Sequence, residues 1–114
     1  MAYYGWVYVT TDSNTEQTAR QVATHLGGTI IDLPGTEWGV AGQPIDVWVQ
    51  EVAAGDGLDE FTHSLMVSNG TTTAYAAQDA AARMVFDRLA AETSWRVALV
   101  GSDRETITQD RPAP

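Results

Sequence analysis

Apolar and polar positions alternate from Tyr4 to Thr10, with Tyr4, Trp6 and Tyr8 on one side and Gly5, Val7 and Val9 on the other. A period of two in aromatic and β-branched residues predicts a strand, here one with neither side suited to water. The period then changes. Ala19, Val22, Ala23 and Leu26 recur at helical spacing, while Glu16, Arg20 and Gln21 lie off that stripe, so a helix follows. Ser13 and Glu16 stand three apart at its start, the pattern of a capping box. Gly27-Gly28 ends it, because glycine takes the left-handed conformation without a Cβ penalty. A second strand is expected over Thr29 to Leu33, and Pro34-Gly35 turns the chain. Residues 34–44 hold two prolines and three glycines and read as a surface loop, with Trp38 its one large apolar group.

Alternation returns at Ile45 to Val52, where Ile45, Val47 and Val49 oppose Asp46, Trp48 and Gln50. It appears again at Glu60 to Ser68, with Phe61, His63, Leu65 and Val67 against Thr62, Ser64 and Met66. Asn69 to Thr73 is a turn and helix-cap signal. From about Ala74 to Thr93, Tyr75, Gln78, Ala82, Val85, Phe86 and Leu89 fall near one helical stripe, and the many alanines place that helix close against a sheet. Trp95 to Gly101 is an apolar strand but for Arg96. Ser102-Asp103-Arg104 is a hairpin turn, and Glu105 to Gln109 is a short last strand. The order β-α-β-β-β-α-β-β predicts an α+β two-layer sandwich, both helices on one face of a mostly antiparallel sheet of five or six strands. The length of 114 residues suits one domain over 1–109, followed by a tail at 110–114.

Charge narrows the function classes. Fifteen Asp and Glu against six Arg, with no Lys, leave a net charge of −9. Nucleic-acid binding needs clustered bases to neutralise phosphates, and this chain has none. No apolar run approaches the roughly 20 residues of a membrane span. Met1-Ala2-Tyr3-Tyr4 lacks the basic and apolar regions of a signal peptide. Zero Cys excludes a disulfide framework, a thiol nucleophile and a thiolate metal site. The expectation is a soluble cytoplasmic protein without cofactor, metal, membrane or nucleic-acid partner.

Catalytic constellations are thin. The segment Thr10 to Thr15 resembles the phosphate loop of flavodoxins, with hydroxyls at a helix N-terminus. Asp12, however, puts a carboxylate where phosphate would sit, Ser13 replaces the glycine of close approach, and a helix cap explains the same residues. A small-ligand reading would combine this loop with Trp38 or Trp48. His25 and His63 belong to no metal-ligand spacing. Ser64, His63 and Asp46 can be written as a trio, but no nucleophile-elbow sequence supports it. The chain reads as a non-enzyme.

Two features point to binding instead. Glu51, Asp56, Asp59 and Glu60 stand within ten residues that hold no base, an acidic rim for a cationic partner. If Val7, Val9, Val47 and Val49 face the helices, then Tyr4, Trp6, Tyr8 and Trp48 project from the opposite sheet face. Such an apolar patch would be large for a monomer, and Trp and Tyr are the side chains that anchor interfaces. The predicted partner-binding set is therefore Trp48, Asp46, Glu51, Asp56, Asp59, Glu60, Trp6 and Tyr8. A second copy of the chain is the alternative occupant of the aromatic face, as in a self-associating accessory or phage-derived protein.

With this layout in place, Tyr8-Val9-Thr10-Thr11-Asp12-Ser13-Asn14-Thr15-Glu16 at the front resembles a family opening, a strand ending in Thr-Thr-Asp before a capped helix. Ala81 to Leu89 followed by Trp95 to Val100 resembles the same family's closing helix, strand and hairpin. Together they look like the small immunity proteins of bacterial polymorphic toxin systems, of the swarming-inhibition type. The likeness spans the chain as an order of elements and is specific over these two segments. It implies stoichiometric capture of a cognate toxin or effector in a bacterial cytoplasm, and carries no binding residue across.

Overall fold

The strand that is apolar on both sides is the one that must be covered on both, and it lies inside the sheet. β1 (Gly5–Thr10) pairs antiparallel with β5 (His63–Asn69) on one side and β6 (Arg96–Val100) on the other. β4 (Ile45–Glu51) lies beyond β5, then β3 (Trp38–Ala41) and β2 (Thr29–Asp32), while β7 (Ile107–Arg111) flanks β6. The seven strands run in the order β2-β3-β4-β5-β1-β6-β7, every pair antiparallel. The structure is a computed structural model and describes residues 3–113 apart from Thr36, Gln43, Ala54 and Asp56. Among the described residues no helix is long and apolar enough to cross a membrane.

α1 (Thr15–Leu26) and α2 (Tyr75–Glu92) cover one face. Val7, Val9, Val47, Val49, Leu65, Val67, Val97 and Leu99 meet Ala19, Val22, Ala81, Ala82, Val85 and Leu89 in a single buried cluster. Small residues on α2 let it lie close. A Cβ at Gly5 would stand 2.4 Å from the Ala82 Cβ and 2.9 Å from the Gln78 carbonyl oxygen. This is the predicted α+β two-layer arrangement, and the valines of β1 and β4 face the helices.

The sheet has seven strands where five or six were expected. Trp38 to Ala41, read as loop, is β3. Its glycine is a packing residue rather than punctuation: Gly39 lies opposite both Trp48 and Ile31, and a Cβ there would approach Leu33 Cδ1 at 3.3 Å and Ile31 Cβ at 3.6 Å. β7 also runs further than predicted. Asp110 and Arg111, assigned to the tail, pair with Ala98 and Val97. Arg96 Nη2 donates to Asp110 Oδ2 at 2.7 Å, and Arg111 Nη2 to the Thr93 carbonyl at 2.7 Å.

The capping box of α1 falls one residue later than Ser13 and Glu16 would place it. Asn14 Oδ1 accepts from the Gln17 N–H at 2.8 Å, and Gln17 Oε1 accepts from the Asn14 N–H at 3.4 Å. The Thr11 hydroxyl takes the Ser13 N–H at 3.1 Å, so the turn consumes the extra residue. Glu16 pairs instead with Arg20 at 2.9 Å. At α2 none of Thr71 to Thr73 is the N-cap; Ala74 is, without a side-chain bond. Buried Gln78 ties that end down, accepting from the Asn69 N–H at 2.7 Å and donating to the Asn69 and Thr72 carbonyls at 3.2 and 2.8 Å.

Candidate functional site

The strand registers align one residue from each strand on the face away from the helices. Reading across the sheet, the row is Ile31, Gly39, Trp48, Met66, Trp6, Val100 and Ile107. Tyr8 lies one step along the same face, opposite Ser64 and Ala98. So large an apolar surface must be covered or used.

Half of it is covered. Leu58 and Phe61, in the segment between β4 and β5, are buried against Tyr8, with the Phe61 ring edge-on to Tyr8 at 5.9 Å. At the β6–β7 turn Arg104 adopts φ 61° and sets its guanidinium 3.9 Å from the centroid of Trp6. A cation over an indole face is attracted by the ring quadrupole and seals it from water. Trp6 is 8% exposed and Tyr8 0%. These two predicted partner-binding residues thus belong to a second core. They project from the expected face, but the segment after β4 folds back over them.

The other half is open. Ile31 is 44% exposed, and Leu33 and Trp48 are half-buried. With Gly39, Ala41 and Asp46 they line a shallow hollow of about 150 Å³. Tyr4 meets Trp48 edge-on at 6.2 Å. No Lys or Arg occurs between Arg20 and Arg83, so β2 to β5 contribute no fixed positive charge to this surface. Trp38 is on the helix side, 6.0 Å from the Arg20 guanidinium, and takes no part.

Among the described residues the predicted acids lie in three places. Asp46 and Glu51 are five apart on β4, and an odd separation puts them on opposite faces. Asp46 lies on the open outer face, two residues from Trp48 in the strand, and its Oδ1 accepts from the Gly42 N–H at 3.0 Å. Glu51 is on the helix side, opposite His63. Asp59 and Glu60 sit in the segment that covers Tyr8. Asp59 Oδ2 accepts from the Gly55 N–H at 3.3 Å, and Glu60 is paired with Arg96 at 3.5 Å. Arg96 also lies 4.4 Å from the Phe61 ring centroid, so this pair fastens the cover. Asp56 lies outside the described residues.

A second hollow, of about 520 Å³, opens at the N-terminus of α1 between residues 11–15 and Glu51, Val52, Thr62 and His63. Its hydroxyls are engaged within the protein. Thr11 Oγ1 meets Thr18 Oγ1 at 3.1 Å, and Thr10 Oγ1 donates to the Glu60 carbonyl at 3.5 Å. His63 is 4% exposed and hydrogen-bonded through Nε2 to Thr15 Oγ1 at 3.2 Å and through Nδ1 to Thr62 Oγ1 at 2.9 Å. Burial pushes its pKa below the ordinary value, opposed by the nearby Glu51 charge. Neither Trp38 nor Trp48 lines this hollow, so a ligand site joining loop and indole is not assembled. Nor is the Ser64–His63–Asp46 trio: Ser64 and His63 are on opposite faces, and Asp46 pairs with Ser68 at the far end of β5. His25 Nδ1 pairs with Glu92 at 3.0 Å. Among the described residues no three His, Cys, Asp or Glu cluster to hold a metal.

Ile31 and Leu33 are the site residues that sequence reasoning missed. The alternation of Thr29-Ile30-Ile31-Asp32-Leu33 was their signal, since it leaves Ile31 facing away from Ile30, which is partly buried against the core. Comparison of the chain with protein-family models, with curated proteins and with solved structures gives no match.

Proposed function

We propose that this protein is a non-catalytic, acidic protein-binding module, most concretely an immunity protein that neutralises a cognate cationic bacterial toxin. The observation that carries the reading is the open half of the outer sheet face. There Trp48 and Ile31 stand beside Asp46 on strands that hold no basic residue. A half-buried indole in an apolar hollow is the kind of group that dominates interface energetics. Net negative charge raises the encounter rate with a cationic partner and disfavours the wrong ones. The likeness of the opening and closing segments to toxin immunity proteins supports the same reading. Self-association through the whole aromatic face is disfavoured, because Trp6 and Tyr8 are already spent on the interior.

The test is co-expression with the products of neighbouring genes, followed by binding kinetics on whichever co-purifies. Trp48→Ala should cost about 2 kcal/mol of affinity, roughly 30-fold, mainly through faster dissociation. Asp46→Lys should slow association and flatten its salt dependence. Trp6→Phe, beneath the cover, should leave binding unchanged. A Trp48→Ala variant that binds as tightly as the parent removes the open face from the interface. Failure of any neighbouring product to co-purify counts against the immunity reading.

A further inference from the structure

A sheet that is not closed has two edges, and the two edges of this one are treated differently. β7 is blunted in the usual ways. A register shift between Leu99 and Val100 breaks the ladder, Asp110 is bound to Arg96, and Pro112 follows directly. β2 is blunted less: its register is unbroken, its one charge, Asp32, stands at its end, and Pro34 lies two residues beyond. The strand pairs with β3 alone, from Thr29 opposite Ala41 to Asp32 opposite Trp38, and three of its four residues are exposed. Because an antiparallel strand bonds its neighbour through alternate residues, two of the four point their N–H and C=O groups outward. Shortness and the single charge of Asp32 are what protect it.

Resting on the reading of an acidic partner-binding module, we propose that the free edge of β2 is where the partner docks, by adding an extended segment of alternating basic and apolar residues as an eighth strand. Side-chain geometry sets the alternation. Ile31 belongs to the outer face, in line with Gly39 and Trp48, so the residue placed beside it extends the apolar row. Asp32 lies one residue on and on the other face, exposed, so its neighbour is a Lys or Arg. Charge also decides between occupants. A second copy pairing β2 with β2 would bring Asp32 and two chains of −9 together, whereas a basic strand is attracted at every step of approach. Main-chain bonds supply the hold, and the alternate side chains supply the choice.

The test uses the full chain and an acetylated, amidated eight-residue peptide of alternating Lys and Val, with a Glu–Val peptide as control. Hydrogen exchange followed by mass spectrometry should show the Lys–Val peptide slowing amides within 29–32 and leaving 107–111 unchanged, and the control should do neither. Ile31→Lys, which places a charge on the edge as natural edge strands do, and Asp32→Lys should each weaken the peptide at least tenfold. Both positions are exposed, and unchanged melting temperatures confirm that the variants fold. Protection of β7 instead, equal binding of the Glu–Val peptide, or full affinity in both variants overturns the proposal. Peptide binding that Trp48→Ala abolishes while 29–32 stays unprotected also overturns it, and leaves the acidic docking face standing. Dimerisation at tens of micromolar that Asp32→Lys strengthens would replace the basic strand with a second copy.

Discussion

Gly5→Ala tests how closely α2 is pressed onto the centre of the sheet. The new methyl would stand 2.4 Å from the Ala82 Cβ, 3.4 Å from its Cα and 2.9 Å from the Gln78 carbonyl oxygen. Carbon atoms rest at about 3.5–4.0 Å, so the helix must withdraw by about 1 Å or the strand must bend. Withdrawal is resisted at that point, because the Gln78 side chain is bonded to Asn69 and Thr72 on the turn before the helix. Overpacking of this kind costs about 1–3 kcal/mol, against about 0.4–1 kcal/mol gained by stiffening the unfolded chain. A net loss of about 1–2 kcal/mol follows. Ala82→Gly removes the nearest clash at its own cost of about 1 kcal/mol in helix propensity, plus about 0.8 kcal/mol for a buried methyl. Urea unfolding followed by tryptophan fluorescence reads all three variants, since two of the four Trp, Trp6 and Trp95, are buried. The double variant should be more stable than the sum of the singles by about 1 kcal/mol. A Gly5→Ala protein as stable as the parent, or strict additivity, would refute the close contact.

Asn14→Ala should cost about 1 kcal/mol and Ser13→Ala a few tenths, measured by thermal unfolding, because Asn14 and not Ser13 caps α1. The reverse order would restore the earlier cap. His63 is depressed below its ordinary pKa by burial, so below pH 6.5 the unfolded chain binds a proton that the folded chain refuses. Its contribution is therefore intact above pH 6.5 and falls as the pH drops through that value, with a slope no steeper than about 1.4 kcal/mol per pH unit. Denaturation series from pH 7.5 to 5.5 should show the slope in the parent and lose it in His63→Gln; identical profiles would contradict a buried, neutral imidazole. Among the described residues the buried Tyr8 hydroxyl has no hydrogen-bond partner. Tyr8→Phe should thus hold stability or raise it by about 1 kcal/mol, and a clear loss would show that the hydroxyl is bonded.

Much of this protein is written in local pattern. The alternation of β1 and β4, the helical stripes of α1 and α2 and the glycines after Leu26 set the α+β class and put the valines of each strand on one common side. A period of two or of 3.6 is a property of neighbouring residues and needs no knowledge of the rest of the chain. Net charge, and the long stretch between Arg20 and Arg83 without a base, are likewise read directly. Tertiary structure decided what local pattern cannot encode. Gly39 looks like a turn residue until Trp48 and Ile31 are seen on either side of it. Trp6 and Tyr8 look like docking residues until Leu58, Phe61 and Arg104 close over them. Glu51, Asp59 and Glu60 look like neighbours on one rim until the first is seen on the helix side of the sheet and the other two on the segment that covers Tyr8. For Trp6 and Tyr8 the deciding contacts join residues about 50 to 100 apart in sequence. Which half of an apolar face stays open depends on where a distant segment folds back, and pattern along the chain holds no record of that.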